Sequence, residues 1–203
     1  KLFLNIESED GSHALITTPG ATKFYRSKNE ERSYVSNKLK INRNSKLEWL
    51  PQQNIFFNGA RTDIETSIDI EDEGMFIGWE INCFGRPANK DFFSLGSINS
   101  QTSIFLDGKL TLIDQIYIDN TYTINLSSGL RGMPFQATLI AAKCDTILLD
   151  YINVFLKEKI GKNENFGVTL IDGILVLRTI GEKSEFIIEM LKMVWDVLRE
   201  KWL

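Results

Sequence analysis

Apolar residues recur with a period close to two from Lys1 to about Ile124. This alternation is typical of β-strands that bury one face, because successive side chains of a strand point to opposite sides. Turn signals such as Asp10-Gly11 and Asp107-Gly108 separate the alternating runs. Short strands at this spacing predict a mainly β architecture of layered sheets. The strands predicted in this part of the chain include Leu2–Ile6, His13–Thr18, Tyr34–Ile41, Met75–Phe84, Ile104–Leu106 and Leu110–Ile118, and Ile64, Ile68 and Ile70 line one face of a further run.

The segment Leu47–Arg61 (LEWLPQQNIFFNGAR) holds two short apolar runs, one on either side of Pro51. Proline cannot donate a hydrogen bond to a sheet, so it marks a kink, an edge or a turn between the two runs. Asn58-Gly59 supplies the positive φ angles of a tight turn after the second run. The pattern therefore predicts strand, kink, strand and turn, which we interpret as a hairpin in the core.

The apolar pattern changes in the last third of the chain. A helical spacing of apolar residues predicts one helix over about Asp145–Lys159 and a second helix that begins near Ser184. Between them, Phe166–Ile171 and Ile174–Ile180 flank an Asp-Gly turn and predict a hairpin. We therefore expect a single domain over residues 1–203. Its fold is expected to be mainly β, with layered, stacked β-sheets and two α-helices in the C-terminal third.

The charge and the cysteine content of the 203 residues limit the possible classes of function. A formal net charge of −4 gives no basic excess for binding the phosphate backbone of a nucleic acid. No apolar run is long enough to span a bilayer as a helix, so no membrane association is expected. Cys83 and Cys144 lie far apart in the sequence, which favours two buried thiols in a reducing compartment and a cytoplasmic protein.

Few residues are suited to catalysis or to tight metal binding. One histidine and two isolated cysteines cannot build a tight transition-metal site from imidazole and thiolate groups. His13 is a poor candidate for a general base, because Ser12 beside it points to the other face of a strand. Gly129–Gly132 (GLRG) lacks the Gly-Lys-Ser/Thr ending of a phosphate-binding loop. We therefore predict no catalytic residue and no tightly bound cofactor.

Three carboxylates, those of Glu48, Glu80 and Asp114, lie inside otherwise apolar strand segments. A carboxylate in such a strand either faces solvent or is buried, and a buried one needs compensating partners. Both interpretations stay open for each residue taken alone. If two or more of the carboxylates converge between the sheets, they predict a hydrated polar channel. Two facing carboxylates could instead serve a hydrolase, as in the cleavage of glycosides.

Several stretches of the sequence together resemble one protein family. In family order, these stretches are His13–Ser27 (HALITTPGATKFYRS), Leu47–Arg61, Gly78–Ala88 (GWEINCFGRPA), Gly129–Thr138 (GLRGMPFQAT), Gly167–Leu170 (GVTL) and Trp195–Arg199 (WDVLR). The runs TPGATKFYRS and LEWLPQ within the first two are the most specific. On these residues the chain resembles the urease accessory protein D family (UreD, called UreH in some organisms). Relative to that family, it starts after a Gly-Gly-rich N-terminal segment and ends before a short tail with proline and tryptophan. We therefore expect a chain truncated at both ends.

The resemblance implies a non-enzymatic scaffold, or chaperone, for inserting nickel into urease. Members of the family form a complex with UreF and, through UreF, with the GTPase UreG, and this complex docks on the urease apoprotein. Nickel in transit is thought to pass along an internal polar tunnel without being held tightly. Carried over by position, Thr22, Glu80 and Asp114 fall where the family has polar groups in or beside the tunnel. The strand argument adds Glu48 as a further candidate.

Two other functions remain open on the sequence. A carboxylate-dependent hydrolase would need two of the strand carboxylates to face each other across an open cleft. A stand-alone β-sheet ligand-binding module would need a concave groove lined by aromatic side chains instead of an enclosed polar passage. The position and lining of the main cavity therefore separate these alternatives.

Overall fold

The computed structural model describes residues 1–119, 124–160 and 165–202 of the chain. Strands dominate these residues and two α-helices lie in the C-terminal third, which confirms the predicted fold class. The strands are β1 (Leu2–Ser8), β2 (His13–Ile16), β3 (Thr22–Phe24), β4 (Ser33–Ile41), β5 (Lys46–Trp49), β6 (Asn54–Phe56), β7 (Arg61–Ile70), β8 (Met75–Arg86), β9 (Asp91–Phe92), β10 (Ser97–Leu106), β11 (Lys109–Ile118), β12 (Phe135–Ala141), β13 (Phe166–Ile171) and β14 (Ile174–Gly181). The helices are α1 (Thr146–Ile160) and α2 (Ser184–Trp202), and a short 3₁₀ helix spans Pro87–Asn89.

Sheet A has the strand order β1-β4-β7-β10-β11. Its first four strands run parallel to one another, and β11 returns antiparallel to β10 through the predicted Asp107-Gly108 turn. The register places Ile6, Leu39, Ile68 and Ile104 side by side across these four strands. This apolar ladder packs into the core between the sheets, because its last three members are almost fully buried.

Sheet B has the strand order β13-β14-β12-β8-β5-β2, with β6 beside β8 and β3 beside β6. Strands β5 and β6 both run parallel to β8, the first along Met75–Gly78 and the second along Asn82–Phe84. The hairpin predicted within Leu47–Arg61 is therefore wrong, since its two apolar runs follow one another in the same direction along β8. Pro51 lies in the break between β5 and β6, as a residue that cannot donate to a sheet requires. Alternation of apolar residues identifies the buried face of a strand but does not identify the partner strand.

The chain passes back and forth between the two sheets, which explains why so many neighbouring strands are parallel. Strand β1 lies in sheet A, β2 and β3 lie in sheet B, β4 lies in sheet A, and β5 and β6 lie in sheet B again. Each return to sheet A adds a strand beside the previous one and in the same direction. The two sheets therefore face each other, as the prediction of stacked layers requires.

The two helices cover the outer face of sheet B. The stripe of Ile187, Leu191, Val194 and Leu198 on α2 is fully buried, as its helical spacing predicts. These side chains share one core with Ile77 of β8 and with other outward residues of the sheet. The opposite face of sheet B is thereby left to meet sheet A. Within the described ranges, no helix is long and apolar enough to cross a membrane.

Candidate functional site

The inner faces of the two sheets change from apolar to polar and back to apolar along the strands. In β7, Ile64 belongs to one buried apolar cluster and Ile68 to another, and Thr66 between them lines a cavity. Asn37 of the neighbouring strand β4 pairs with Thr66, and its Nδ2 donates to Thr66 Oγ1 at 3.1 Å. A polar band therefore crosses the space between the sheets and separates two apolar cores.

The polar band runs through a cavity of about 450 Å³ between sheets A and B, called the polar cavity below, and apolar side chains such as Phe24, Trp49 and Phe76 line it on either side of the band. This volume has room for several water molecules, and polar groups in its wall can bind them. Both sheets contribute polar side chains to the wall, so the cavity is an internal feature of the layered fold. Its polar and charged lining includes Thr18, Thr22, Asn37, Asn54, Thr66, Glu80, Ser100, Thr102, Asp114, Gln136, Thr138 and Arg178.

Glu80 of β8 lines the polar cavity and stands at the centre of a hydrogen-bond network. Its Oε1 accepts from Asn82 Nδ2 at 2.6 Å and from Ser100 Oγ at 3.0 Å, and Ser100 Oγ lies 2.9 Å from Oε2. Asn82 Nδ2 also donates to Gln136 Oε1 at 2.9 Å. Burial raises the pKa of the Glu80 carboxyl, the bonds from Asn82 and Ser100 oppose the rise, and the charge of Asp114 adds to it.

Asp114 connects the two sheets at the side of the polar cavity. It lies on β11, the end strand of sheet A, and it pairs with Arg178 of β14 in sheet B. Arg178 Nε and Nη2 donate to Asp114 Oδ1 at 3.0 and 2.6 Å. The Asp114 side chain is 19% exposed and that of Arg178 is 46% exposed. Because both side chains also line the cavity, the pair lies where the cavity meets solvent.

The structure brings together three of the four residues that the sequence analysis proposes for a tunnel. Thr22 of β3, Glu80 of β8 and Asp114 of β11 all line the polar cavity. The backbone N–H of Thr22 donates to the carbonyl of Gln53 at 2.9 Å, which ties β3 to the segment after the Pro51 kink. The passage of an ion through this cavity stays a prediction, but the shared lining is what such a passage requires.

Glu48 lies away from the other three candidates, on the outer face of sheet B under α2. Its side chain is fully buried, with Oε1 2.7 Å from His13 Nε2 and Oε2 accepting from Trp195 Nε1 at 2.5 Å. Arg199 Nε lies 3.3 Å from Oε1. Leu47, the preceding residue, packs between the sheets, so the pleat turns Glu48 to the helix side. Glu48 is not among the described residues that line the polar cavity.

The polar cavity offers oxygen ligands and little else to a cation. Over the described ranges, no three His, Cys, Asp or Glu side chains lie close enough together to hold a metal ion. Cys83 and Cys144 are buried free thiols, and burial raises their pKa values to about 11 and about 12, so neither supplies a thiolate. Carboxylate, hydroxyl and amide oxygens bind transition metals weakly and exchange them readily. The arrangement therefore suits the temporary binding of a cation.

The sequence analysis did not identify Asn37, Thr66 or Arg178 as site residues. For Asn37 and Thr66 a signal exists, because each is a polar residue with an apolar residue two positions before it and two positions after it. In a strand these three positions share one face, so the pattern indicates a polar side chain between two buried apolar ones. Arg178 gives a similar signal as a charged residue in an apolar strand, but its partner on β11 cannot be inferred locally.

The raised pKa of Glu80 predicts a pH-dependent stability that Glu80→Gln reduces. The folded protein binds this proton more tightly than the unfolded chain does. The resulting stabilisation is complete below the unfolded pKa and is lost as the pH rises through the folded pKa. We therefore expect the melting temperature of the wild type to fall relative to that of Glu80→Gln as the pH rises across that window. Thermal unfolding at a series of pH values checks this, with the exposed Glu189→Gln as control. Parallel curves for wild type and Glu80→Gln would contradict it.

Comparison with known proteins agrees with the resemblance in the sequence. The family described as UreD urease accessory protein matches residues 1–203. The urease accessory protein UreD of Alcanivorax borkumensis is 41% identical over 199 residues, which cover 98% of this chain and 67% of that relative. The UreD of Escherichia coli is 38% identical over 207 residues, covering 100% and 73%, and the UreD of Vibrio parahaemolyticus is 36% identical over 205 residues, covering 100% and 72%. This chain therefore belongs to the UreD family of urease accessory proteins.

Proposed function

We propose that this chain is a non-catalytic scaffold that guides nickel into apo-urease through the polar cavity. Membership of the UreD family gives the chain a role in urease maturation. Nickel is a cargo in this proposal, not a resident cofactor. The main support is the cavity itself, because it places the carboxylates of Glu80 and Asp114 between the two apolar cores of the stacked sheets.

A conduit must bind a divalent cation and then release it. Oxygen ligands suit this task, since they hold nickel less firmly than imidazole or thiolate groups do. The raised pKa of Glu80 lets a proton and a cation compete for the same carboxylate. The charge inside the cavity can then stay balanced while an ion arrives and leaves. Both features favour transfer over storage.

The proposed partners are UreF, the GTPase UreG bound through UreF, and the urease apoprotein. Family membership supports an interaction with urease or with other urease accessory proteins. The relatives are named accessory proteins, which supports a role without catalysis. A cytoplasmic location, predicted from the two cysteines, is compatible with this role and stays a prediction.

Co-expression of the intact protein with UreF, UreG and the urease subunits tests the proposal. A tag on the protein is expected to recover UreF and apo-urease, and the nickel content of urease is expected to fall to background when the protein is left out. The measurements are a pull-down and metal analysis of the purified urease. If the protein recovers neither partner and nickel content does not depend on it, the scaffold proposal fails. The carboxylates of the cavity would then be tested for hydrolase activity.

A further inference from the structure

The ionisable side chains that line the polar cavity include more acidic groups than basic ones. Among the described residues of the lining, Glu80 and Asp114 are acidic and Arg178 alone is basic. Arg178 is engaged by Asp114, whereas Glu80 accepts hydrogen bonds from neutral groups. A cation that enters the cavity therefore meets one carboxylate with a resident counter-charge and one without.

The Arg178–Asp114 pair has the geometry of a weak ion pair. Arg178 Nε and Nη2 both donate to the same atom of Asp114, Oδ1. Arg32 binds Asp63 differently, with Nε on Oδ2 at 2.6 Å and Nη2 on Oδ1 at 2.7 Å, which is the two-oxygen fork of strong arginine–carboxylate pairs. Arg178 is also nearly half exposed, so solvent competes for its guanidinium group.

We propose that Arg178 is a displaceable counter-charge that gates the polar cavity. Its guanidinium group neutralises Asp114 until a divalent cation takes its place, and it returns to Asp114 when the cation moves on. The proposal rests on the proposed nickel conduit and assigns the step at which the conduit takes up and releases its cargo. Displacement of Arg178 is part of each binding event, so it lowers the affinity of Asp114 for the ion.

A purely structural role would have a different signature. Arg178 and Asp114 belong to different sheets, so their pair could serve only to hold β11 and β14 together. Loss of an ion pair with only this structural role would lower the stability of the protein without changing its affinity for a cation. A gate predicts the opposite for binding, because removal of the competing charge leaves Asp114 free and makes cation binding tighter.

Nickel binding by the intact protein, titrated with Ni²⁺ alone in a calorimeter, separates the two roles. We expect Arg178→Gln to tighten Ni²⁺ binding by about two- to fivefold, the range expected for loss of a partly exposed competing charge. Arg178→Lys keeps a cation at this position and is expected to bind Ni²⁺ much as the wild type does. Asp114→Asn is expected to weaken binding, and the double variant Arg178→Gln/Asp114→Asn is expected to match Asp114→Asn.

Arg86→Gln provides the matched control. Arg86 donates Nε and Nη2 to the single atom Oδ2 of Asp91, at 2.9 and 2.7 Å, and neither residue is in the described lining of the cavity. The same change there is expected to leave Ni²⁺ binding unaltered. Melting temperatures of all variants show whether each one is folded.

The outcomes distinguish the gate from the conduit. If Arg178→Gln binds Ni²⁺ as the wild type does while Asp114→Asn binds it more weakly, the gate is wrong and the conduit stands. If Arg178→Lys tightens binding as much as Arg178→Gln, charge is not the cause and the gate is also wrong. If neither Asp114→Asn nor Glu80→Gln changes Ni²⁺ binding or the nickel content of urease, the proposed conduit itself fails.

Discussion

Replacement of Glu80 and Asp114 together by leucine is expected to lower the nickel content of urease at least about tenfold, while the accessory complex remains assembled. The two residues are the acidic side chains in the described lining of the polar cavity. Leucine fills a similar volume but offers no oxygen to a cation, so an ion in the cavity would lose its charged ligands. The measurement is metal analysis of urease purified after co-expression with the double variant.

One control variant and one control pull-down separate the loss of ligands from other effects. Glu65→Leu together with Asp69→Leu removes two carboxylates from the opposite face of sheet A, where β7 faces outward. We expect this variant to leave the nickel content of urease unchanged. A pull-down must still recover the partners with the Glu80→Leu/Asp114→Leu protein, because a broken complex would also lower nickel content. Normal nickel content with an assembled complex would eliminate the cavity as the route.

The elements of the fold could be predicted where local patterns decide the structure. The stripe on α2 and the alternation in β7 each bury the side chains that their spacing selects. Strand pairing could not be predicted in the same way. Strands β5 and β6 pair with β8 because the chain crosses back to sheet B after each strand that it adds to sheet A. This path depends on contacts between residues that are distant in sequence.

The face of the sheet on which a buried carboxylate lies could not be predicted from the local sequence either. Glu48 and Glu80 both lie within apolar strand segments, so the sequence treats them alike. The structure turns Glu80 toward sheet A and Glu48 toward α2. Glu48 is bound on the helix side by Trp195, which follows it by 147 positions in the sequence. A local period of two cannot reveal a partner at that distance, and for this reason the tunnel candidates could be identified only in part.

The surroundings of Glu48 indicate that it stabilises the fold. Three of the stretches that carry the family resemblance meet at this carboxylate, since His13, Glu48 and the pair Trp195 and Arg199 come from separate stretches. The guanidinium group of Arg199 also lies over the Trp195 ring, with its central carbon 5.2 Å from the ring centroid. The cluster therefore attaches the C-terminal half of α2 to β5 and holds the helix on the sheet.

Glu48→Ala is expected to lower the free energy of unfolding by about 3 kcal/mol, the lower end of the usual cost of removing one partner from a buried ion pair, because His13 and Arg199 are partly exposed and water can solvate them. Trp195 Nε1 would lose its acceptor, and the guanidinium group of Arg199 would lose its counter-charge. Urea denaturation measures the loss, and the exposed Glu189→Ala on α2 is expected to change stability by no more than about 0.5 kcal/mol.

Trp195→Phe refines this test, because it removes one donor and keeps the carboxylate and the arginine. Its expected cost is about 1.5–3 kcal/mol, the range for a hydrogen bond to a charged group. If Glu48→Ala costs no more than Glu189→Ala, the cluster does not hold α2 on the sheet. If Glu48→Ala destabilises the protein as expected, a loss of nickel delivery in that variant does not report on the cavity, because the fold itself is weakened. The folded Glu80→Leu/Asp114→Leu protein would then be the variant that reports on the cavity itself.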